Sequence, residues 1–218
     1  GTREAAELAH ELSEAGNEVT TSLAGRTKEP KPVSGQIRIG GFGGAKGLAQ
    51  YLVENQYDKL IDATHPFATQ ISANAKTATR LSGVPLEVKL RKPWEKQTGD
   101  DWIEVGSLEE ARDTLPGNAR VLLALGSQYI DLFASRSDVF FLVRMVDQPA
   151  TPLRLANHKL EIGRPSSNWK AEAELLKNNQ ISHIVCRNSG GAGAYAKIEA
   201  ARALKLPVIM LKRISSSD

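Results

Sequence analysis

Lys59-Leu60-Ile61-Asp62-Ala63-Thr64-His65-Pro66-Phe67-Ala68 runs from a short apolar strand through a polar turn into a helix, and its reading decides the fold. Lys59 to Asp62 is strand-length and ends on a carboxylate. Phe67 to Ser82 then carries apolar residues at helical spacing, and Leu86 to Lys89 returns as another strand. Strand, crossover helix, strand is the βαβ unit of a parallel sheet. The same rhythm extends in both directions. Further strands are predicted at Glu18 to Leu23, Gln36 to Ile39, Val121 to Leu125, Val139 to Arg144, His183 to Cys186 and Val208 to Leu211. Helices are predicted at Glu4 to Ala15, Ala45 to Glu54, Ser107 to Thr114, Asn168 to Asn178 and Gly193 to Leu204. The fold class expected is α/β, with mostly parallel sheets flanked by helices.

A change of composition at Arg91 to Asp101, with Lys92, Pro93, Gly99 and two adjacent acids, reads as a linker between two βα blocks. Two small Rossmann-like domains are therefore expected, residues 1–94 and 95–218, with ligands in the cleft between them. In such a sheet the first strand precedes the first glycine turn. The helix Glu4 to Ala15 thus implies an apolar segment of roughly 5–6 residues upstream of Gly1.

Bulk composition narrows the function classes. The chain has 218 residues, 41% hydrophobic and 24% charged, enough to bury a sizeable core. Its longest apolar runs are far short of the roughly 20 residues that span a bilayer, so no membrane partner is expected. A single cysteine, Cys186, excludes an internal disulfide and a cysteine-rich metal site; no metal is expected, and the default location is the cytoplasm. The net charge of +3 suits small anions. Nucleic acid fits poorly, because the basic residues are scattered and aromatics are only 6%. Nothing calls for an oligomer, and a monomer is expected.

The candidate chemistry lies in strand-to-helix turns. Gly1-Thr2-Arg3-Glu4 opens one helix and Gly40-Gly41-Phe42-Gly43-Gly44 another. Free N–H groups at a helix N-terminus, approached closely through glycine, suit a dinucleotide phosphate. Tight turns alone would also explain these glycines, and the spacing is not a full dinucleotide fingerprint. Arg26 follows the strand ending Ser22-Leu23, where dinucleotide folds place the group that selects NADP over NAD; it could equally be a solvated loop arginine. Asp62, Thr64 and His65 stand at a strand's carboxyl end, placed either to meet ligand or to cap the next helix, with Pro66 suited to a first helical position. In the second half, Arg187-Asn188-Ser189-Gly190-Gly191-Ala192-Gly193-Ala194 forms a second anion cradle, with Arg187 and Arg144 as forked donors for carboxylates. Loop geometry and solvated charge are the competing explanations.

Taken in order, these stretches resemble the precorrin-6A reductase family. Thr2-Arg3-Glu4-Ala5 is similar to the end of its GGTxEA opening, and Ser22 to Thr27 matches its SLAGRT segment. Ile61 to Ala68 is its most recognisable block. Arg91-Lys92-Pro93-Trp94, Leu125-Gly126-Ser127-Gln128, Leu142-Val143-Arg144, Gly163-Arg164-Pro165 and Asn188-Ser189-Gly190-Gly191 follow, so the resemblance covers essentially the whole chain. The chain departs from the pattern at its start, where the family's first strand and first glycine are absent. It departs again at Ser127, where many members carry arginine.

The resemblance implies an oxidoreductase of cobalamin biosynthesis in which NADPH delivers hydride to the macrocycle of precorrin-6A, giving precorrin-6B. It implies a polyanionic tetrapyrrole facing Arg91, Lys92, Arg144, Arg164, Arg187 and Lys197. Thr2, Arg3, Ser22, Arg26, Gly41, Gly43, Thr64 and His65 fall on the cofactor side. Arg144, Arg187 and Asn188 to Ala194 fall on the substrate side, and His65 is the first candidate for proton donation. Two other readings stay open: a different NADP-dependent reductase of an acidic substrate, and a non-catalytic NADPH-sensing module.

Overall fold

A computed structural model of the chain describes residues 2–25 and 32–213. The chain divides into two compact units, Gly1–Arg91 and Lys92–Asp218. The α/β class with parallel sheets and flanking helices is what the residues form.

The first unit contains α1 (Arg3–Glu14), β1 (Thr20–Leu23), β2 (Gln36–Ile39), α2 (Gly44–Glu54), β3 (Leu60–Asp62), α3 (Thr69–Ser82) and β4 (Leu86–Val88). Its strands make two parallel pairs, β1 with β2 and β3 with β4. Helices α2 and α3 bury Leu48, Ala49 and Leu52 together with Ala75 and Ala78, against Phe42, Tyr57, Leu60, Val84 and Leu86. Small alanines on α3 allow that close packing. Gly83, in the left-handed region at φ 76°, ends α3.

The second unit contains β5 (Trp102–Val105), α4 (Leu108–Thr114), β6 (Arg120–Ala124), a 3₁₀ helix (Ser127–Phe133), β7 (Phe140–Met145), β8 (His158–Ile162), α5 (Trp169–Asn178), β9 (His183–Arg187), α6 (Ala196–Leu204) and β10 (Val208–Leu211). They build one parallel sheet in the order β5-β10-β9-β6-β7-β8. Central strands are covered on both faces: Val121, Leu122, Leu123, Leu142, Val143, Ile184, Val185 and Cys186 are wholly buried. Ser107 and Asn168 cap α4 and α5 with their side-chain oxygens, as the sequence suggests.

Several details differ from the sequence expectation, among them the unpredicted 3₁₀ helix Ser127–Phe133. Strands β5 and β8 are additional to the predicted set, and both are sheet edges: Ile103 and Glu104 face solvent, as do His158, Lys159 and Ile162. Edge strands keep polar side chains and lack the continuous apolar run that marks a central strand. Helix α3 starts at Thr69 rather than Phe67, because the Ala68 N–H donates to the His65 carbonyl at 2.7 Å and closes a separate turn around Pro66. Helix α6 starts at Ala196 rather than Gly193, and the preceding residues stay in the loop. No helix among the described residues is long and apolar enough to cross a membrane.

Gly47 lies inside α2, where alanine ordinarily gains about 0.8–1 kcal/mol over glycine. Here a Cβ would overlap the Phe42 carbonyl. Gly47→Ala is therefore expected to destabilise the protein by roughly 1–3 kcal/mol, as overpacking does. Urea unfolding measures it; a raised midpoint would show that the 40–44 turn yields freely.

Candidate active site

In a parallel sheet the loops that follow the strands gather at one edge, and the polar groups of both units sit in such loops. After β3, buried Asp62 accepts the Thr64 N–H at 3.1 Å and the Thr64 hydroxyl at 2.7 Å. The carboxylate therefore shapes this turn and does not cap α3, whose N-cap, Ala68, makes no side-chain bond. Thr2 caps α1 by accepting the Ala5 N–H, and its hydroxyl donates to the Ala63 carbonyl at 3.2 Å. The N-terminus of α1 is thereby fastened to the 62–65 turn. The His65 Nδ1 accepts the Phe67 N–H at 3.2 Å, which in the neutral ring leaves the proton on Nε2. Arg3 lies away from this turn's bonds, in an exposed ion pair with Glu7 at 2.6 Å.

The second glycine turn follows β2. Ser22 on β1 stands opposite Arg38 on β2. The Arg38 guanidinium donates to the carbonyls of Gly40 (2.7 Å) and Gly41 (3.0 Å) and lies 3.8 Å from the Phe42 ring centre. A trans peptide points its C=O and the next N–H in opposite directions. Capturing those two carbonyls therefore turns the N–H groups of Gly41 and Phe42 away from Arg38. Gly43 takes φ 76° as the N-cap of α2. Sequence reading missed Arg38, though an arginine two residues before a glycine run is a usable sign. Arg26 lies outside the described residues.

In the second unit the chain leaving β6 runs toward β7, while the chain leaving β9 runs through α6 toward β10. Strands β6 and β9 are adjacent, so their loops part between them. Such a reversal of strand order is where open α/β sheets bind ligands. Asn188 to Ala194 leaves β9 at this point. Buried Asn188 accepts the Trp94 N–H at 2.7 Å and donates to the Trp94 carbonyl at 2.9 Å. The Trp94 indole N–H donates to the Gly191 carbonyl at 2.7 Å. Lys197 Nζ donates to the Ala194 carbonyl at 2.6 Å and sits 4.7 Å from the Trp94 ring centre. Arg213 donates to the carbonyls of Asn188 (2.9 Å) and Ser189 (2.8 Å). Gly190 and Gly191 take φ 64° and 69°, and a Cβ on Gly190 would strike the Lys92 carbonyl and Arg213.

The arginines of this unit differ in their surroundings. The Arg187 guanidinium lies 5.4 Å from the Tyr129 ring centre, beside the loop that follows β6. Arg144 pairs with Glu172 of α5 at 2.7 Å, with side-chain exposures of 9% and 3%. Glu172 also accepts the Ser166 N–H at 2.8 Å. That acid, 28 residues from Arg144 in sequence, carries no local signature. Burial pushes the Lys197 ammonium below the ordinary lysine range and the Cys186 thiol above its own.

The whole chain, residues 1–218, matches the model of the family described as precorrin-6x reductase CbiJ/CobK. It is 45% identical over 214 residues to the precorrin-6A reductase of Rhodobacter capsulatus, covering 98% of this chain and 85% of that one. To the precorrin-6A reductase of Rhodococcus erythropolis it is 40% identical, with 98% and 86% covered. To the cobalt-precorrin-6A reductase of Priestia megaterium it is 27% identical, with 98% and 88% covered. Its structure is similar to that of a solved CobK precorrin-6A reductase, with a TM-score of 0.96 and 44% identity over 100% of this chain and 87% of the other.

Proposed function

The chain belongs to the precorrin-6x reductase family, and we propose that it reduces precorrin-6A to precorrin-6B in cobalamin biosynthesis with NADPH as the electron donor. The observation that carries this reading is likeness to precorrin-6A reductases at 40–45% identity over nearly the full chain. Identity to the cobalt-precorrin enzymes is 27–30%, which favours the metal-free macrocycle as substrate.

A reduced nicotinamide dinucleotide is a double phosphate ester, and the donors in the first unit fit such a group. The N–H groups of Gly41 and Phe42 are turned away from Arg38 at the start of an eleven-residue helix, where the helix dipole also favours negative charge. These donors, with Gly43, are assigned to the pyrophosphate. Thr2, Arg3, Ser22, Thr64 and His65 are assigned to the rest of the dinucleotide, and Arg26 to its 2′-phosphate. When bound, reduced nicotinamide supplies the hydride, so the chain's own residues need to bind, orient and exclude water.

The substrate's acetate and propionate groups call for anion donors on a second surface. Arg187 and the loop Asn188 to Ala194, at the strand-order reversal of the second sheet, are assigned to them. Arg144 is assigned an indirect part, since its pairing with Glu172 fixes the turn at Ser166. Adding hydride to a C=C unit leaves a carbanion-like partner carbon that must be protonated. His65 is assigned that step through Nε2–H, because its Nδ1 is engaged by the Phe67 N–H.

Three outcomes are expected. Mixing the full chain with precorrin-6A and NADPH oxidises the cofactor, followed by the fall in its absorbance, with slower turnover of the cobalt form; no oxidation by folded protein would favour a sensor. Arg26→Ala narrows the NADPH-over-NADH affinity ratio by about tenfold, the ~1.4 kcal/mol of one charge-assisted contact. An unchanged ratio removes Arg26 from the 2′-phosphate. His65→Ala lowers kcat by roughly 10²–10⁴-fold at saturating substrate. A change within a few-fold means another group supplies the proton.

A further inference from the structure

The loop Asn188 to Ala194 is unusual in where its carbonyls go. Those of Asn188 and Ser189 are held by Arg213, that of Gly191 by the Trp94 indole and that of Ala194 by Lys197. The Ala192 carbonyl accepts the Tyr195 N–H. Five acceptors of one short loop are thus engaged from the protein side. Its donors are not: among the described residues, the N–H groups of Gly190 to Ala194 donate to no backbone carbonyl, while Ala192 and Gly193 are exposed.

Peptide planarity turns this asymmetry into a direction. Holding the Gly191 carbonyl on Trp94 points the N–H of exposed Ala192 away from the indole. A backbone N–H aimed in this way is a donor for an anion. Left-handed φ at Gly190 and Gly191 makes the arrangement possible.

We propose that Trp94, Lys197 and Arg213 are positioning residues that act on the substrate through this loop: Trp94 holds the Gly191 carbonyl so that the N–H of exposed Ala192 meets a carboxylate of the tetrapyrrole, while Lys197, against the Trp94 ring and the Ala194 carbonyl, and Arg213, on the Asn188 and Ser189 carbonyls, fix the loop on either side. This rests on the functional reading above and extends it to three residues that touch the loop from behind. Lys197 has suitable geometry, being 4% exposed, with its ammonium against the Trp94 ring and a short bond to the carbonyl beside α6. Burial works against its charge, and the ring face and the carbonyl offset that cost. Asn188 completes the device by fixing the backbone of Trp94 itself.

The test uses the full chain with precorrin-6A and NADPH. Trp94→Phe deletes one donor and keeps the ring, and Lys197→Met deletes the ammonium and keeps the stem. Ala192→Pro removes the presented N–H itself. All three are expected to raise KM for precorrin-6A about tenfold, the loss of one charge-assisted hydrogen bond. They should hold kcat within about threefold and leave NADPH affinity, measured by direct titration, unchanged; that split separates positioning from general loosening. If Ala192→Pro raises KM while Trp94→Phe and Lys197→Met leave it unchanged, the loop binds substrate but these residues do not position it, and the proposal falls. A parallel loss of NADPH affinity, or a fall in kcat at constant KM, overturns it as well. If Lys197→Met fails to fold, Trp94→Phe and Ala192→Pro decide alone. Wild-type protein that does not turn over precorrin-6A sinks the functional reading instead.

Discussion

Parallel pairing of β9 with β6 on one side and β10 on the other governs the second unit. The ladder sends every strand the same way, so each carboxyl end reaches one edge of the sheet. Burial on both faces then removes polar side chains from the middle of the strand: Ile184, Val185 and Cys186 of β9 have no exposed surface, and the polar residues that follow are Arg187, at the strand's end, and Asn188. Chemistry is displaced into the loops by the same packing that stabilises the sheet. The connections from β6 and β9 leave in opposite directions, and the loop Asn188 to Ala194 begins where they part.

Both glycine loops reach a donor-rich surface by the same physical means. Arg38 holds two carbonyls in the first unit, and Arg213, Trp94 and Lys197 hold four in the second. At Asn188, which is buried, Arg213 satisfies an acceptor that would otherwise cost about 1–3 kcal/mol to bury. A side-chain donor on a carbonyl also settles which way the next N–H faces. Helix dipoles add to this at α2 and α6, but they fall off within a turn and cannot select individual N–H groups. The fixed side-chain donor on each carbonyl, Arg38 in the first loop and Trp94 in the second, supplies that selection.

What could be read in the sequence follows the same division. Central strands such as Val121 to Leu125 and His183 to Cys186 announce themselves because burial on two faces demands continuous apolar residues. Edge strands β5 and β8 were invisible, since Glu104, His158 and Lys159 face water and no local rule distinguishes them from a loop. Glycine turns were legible as turns, and full-length resemblance supplied the family. The partners that organise those turns were not legible. Asn188 and Trp94 lie 94 positions apart, Arg213 and Ser189 lie 24 apart, and Arg144 meets Glu172 across 28. Hydrogen-bond partners at such separations are set by sheet order, which local periodicity does not encode.

The Arg144–Glu172 pair shows why loop N–H groups are the better-suited direct contacts for a polyanion. A buried ion pair of this kind is held by mutual attraction in a poorly solvated place, and removing one partner typically costs about 3–5 kcal/mol because the other charge is stranded. A substrate carboxylate approaching Arg144 would share its guanidinium with Glu172, whose other oxygen already holds the Ser166 N–H. Neutral N–H donors incur no such penalty: they have no counter-ion to lose and need only be aimed. Arg187, half-buried beside Tyr129, adds positive potential near the same loop. On the proposed reading, charge draws the anion toward this edge of the sheet, and peptide N–H groups aimed by the side chains that hold their carbonyls fix its position.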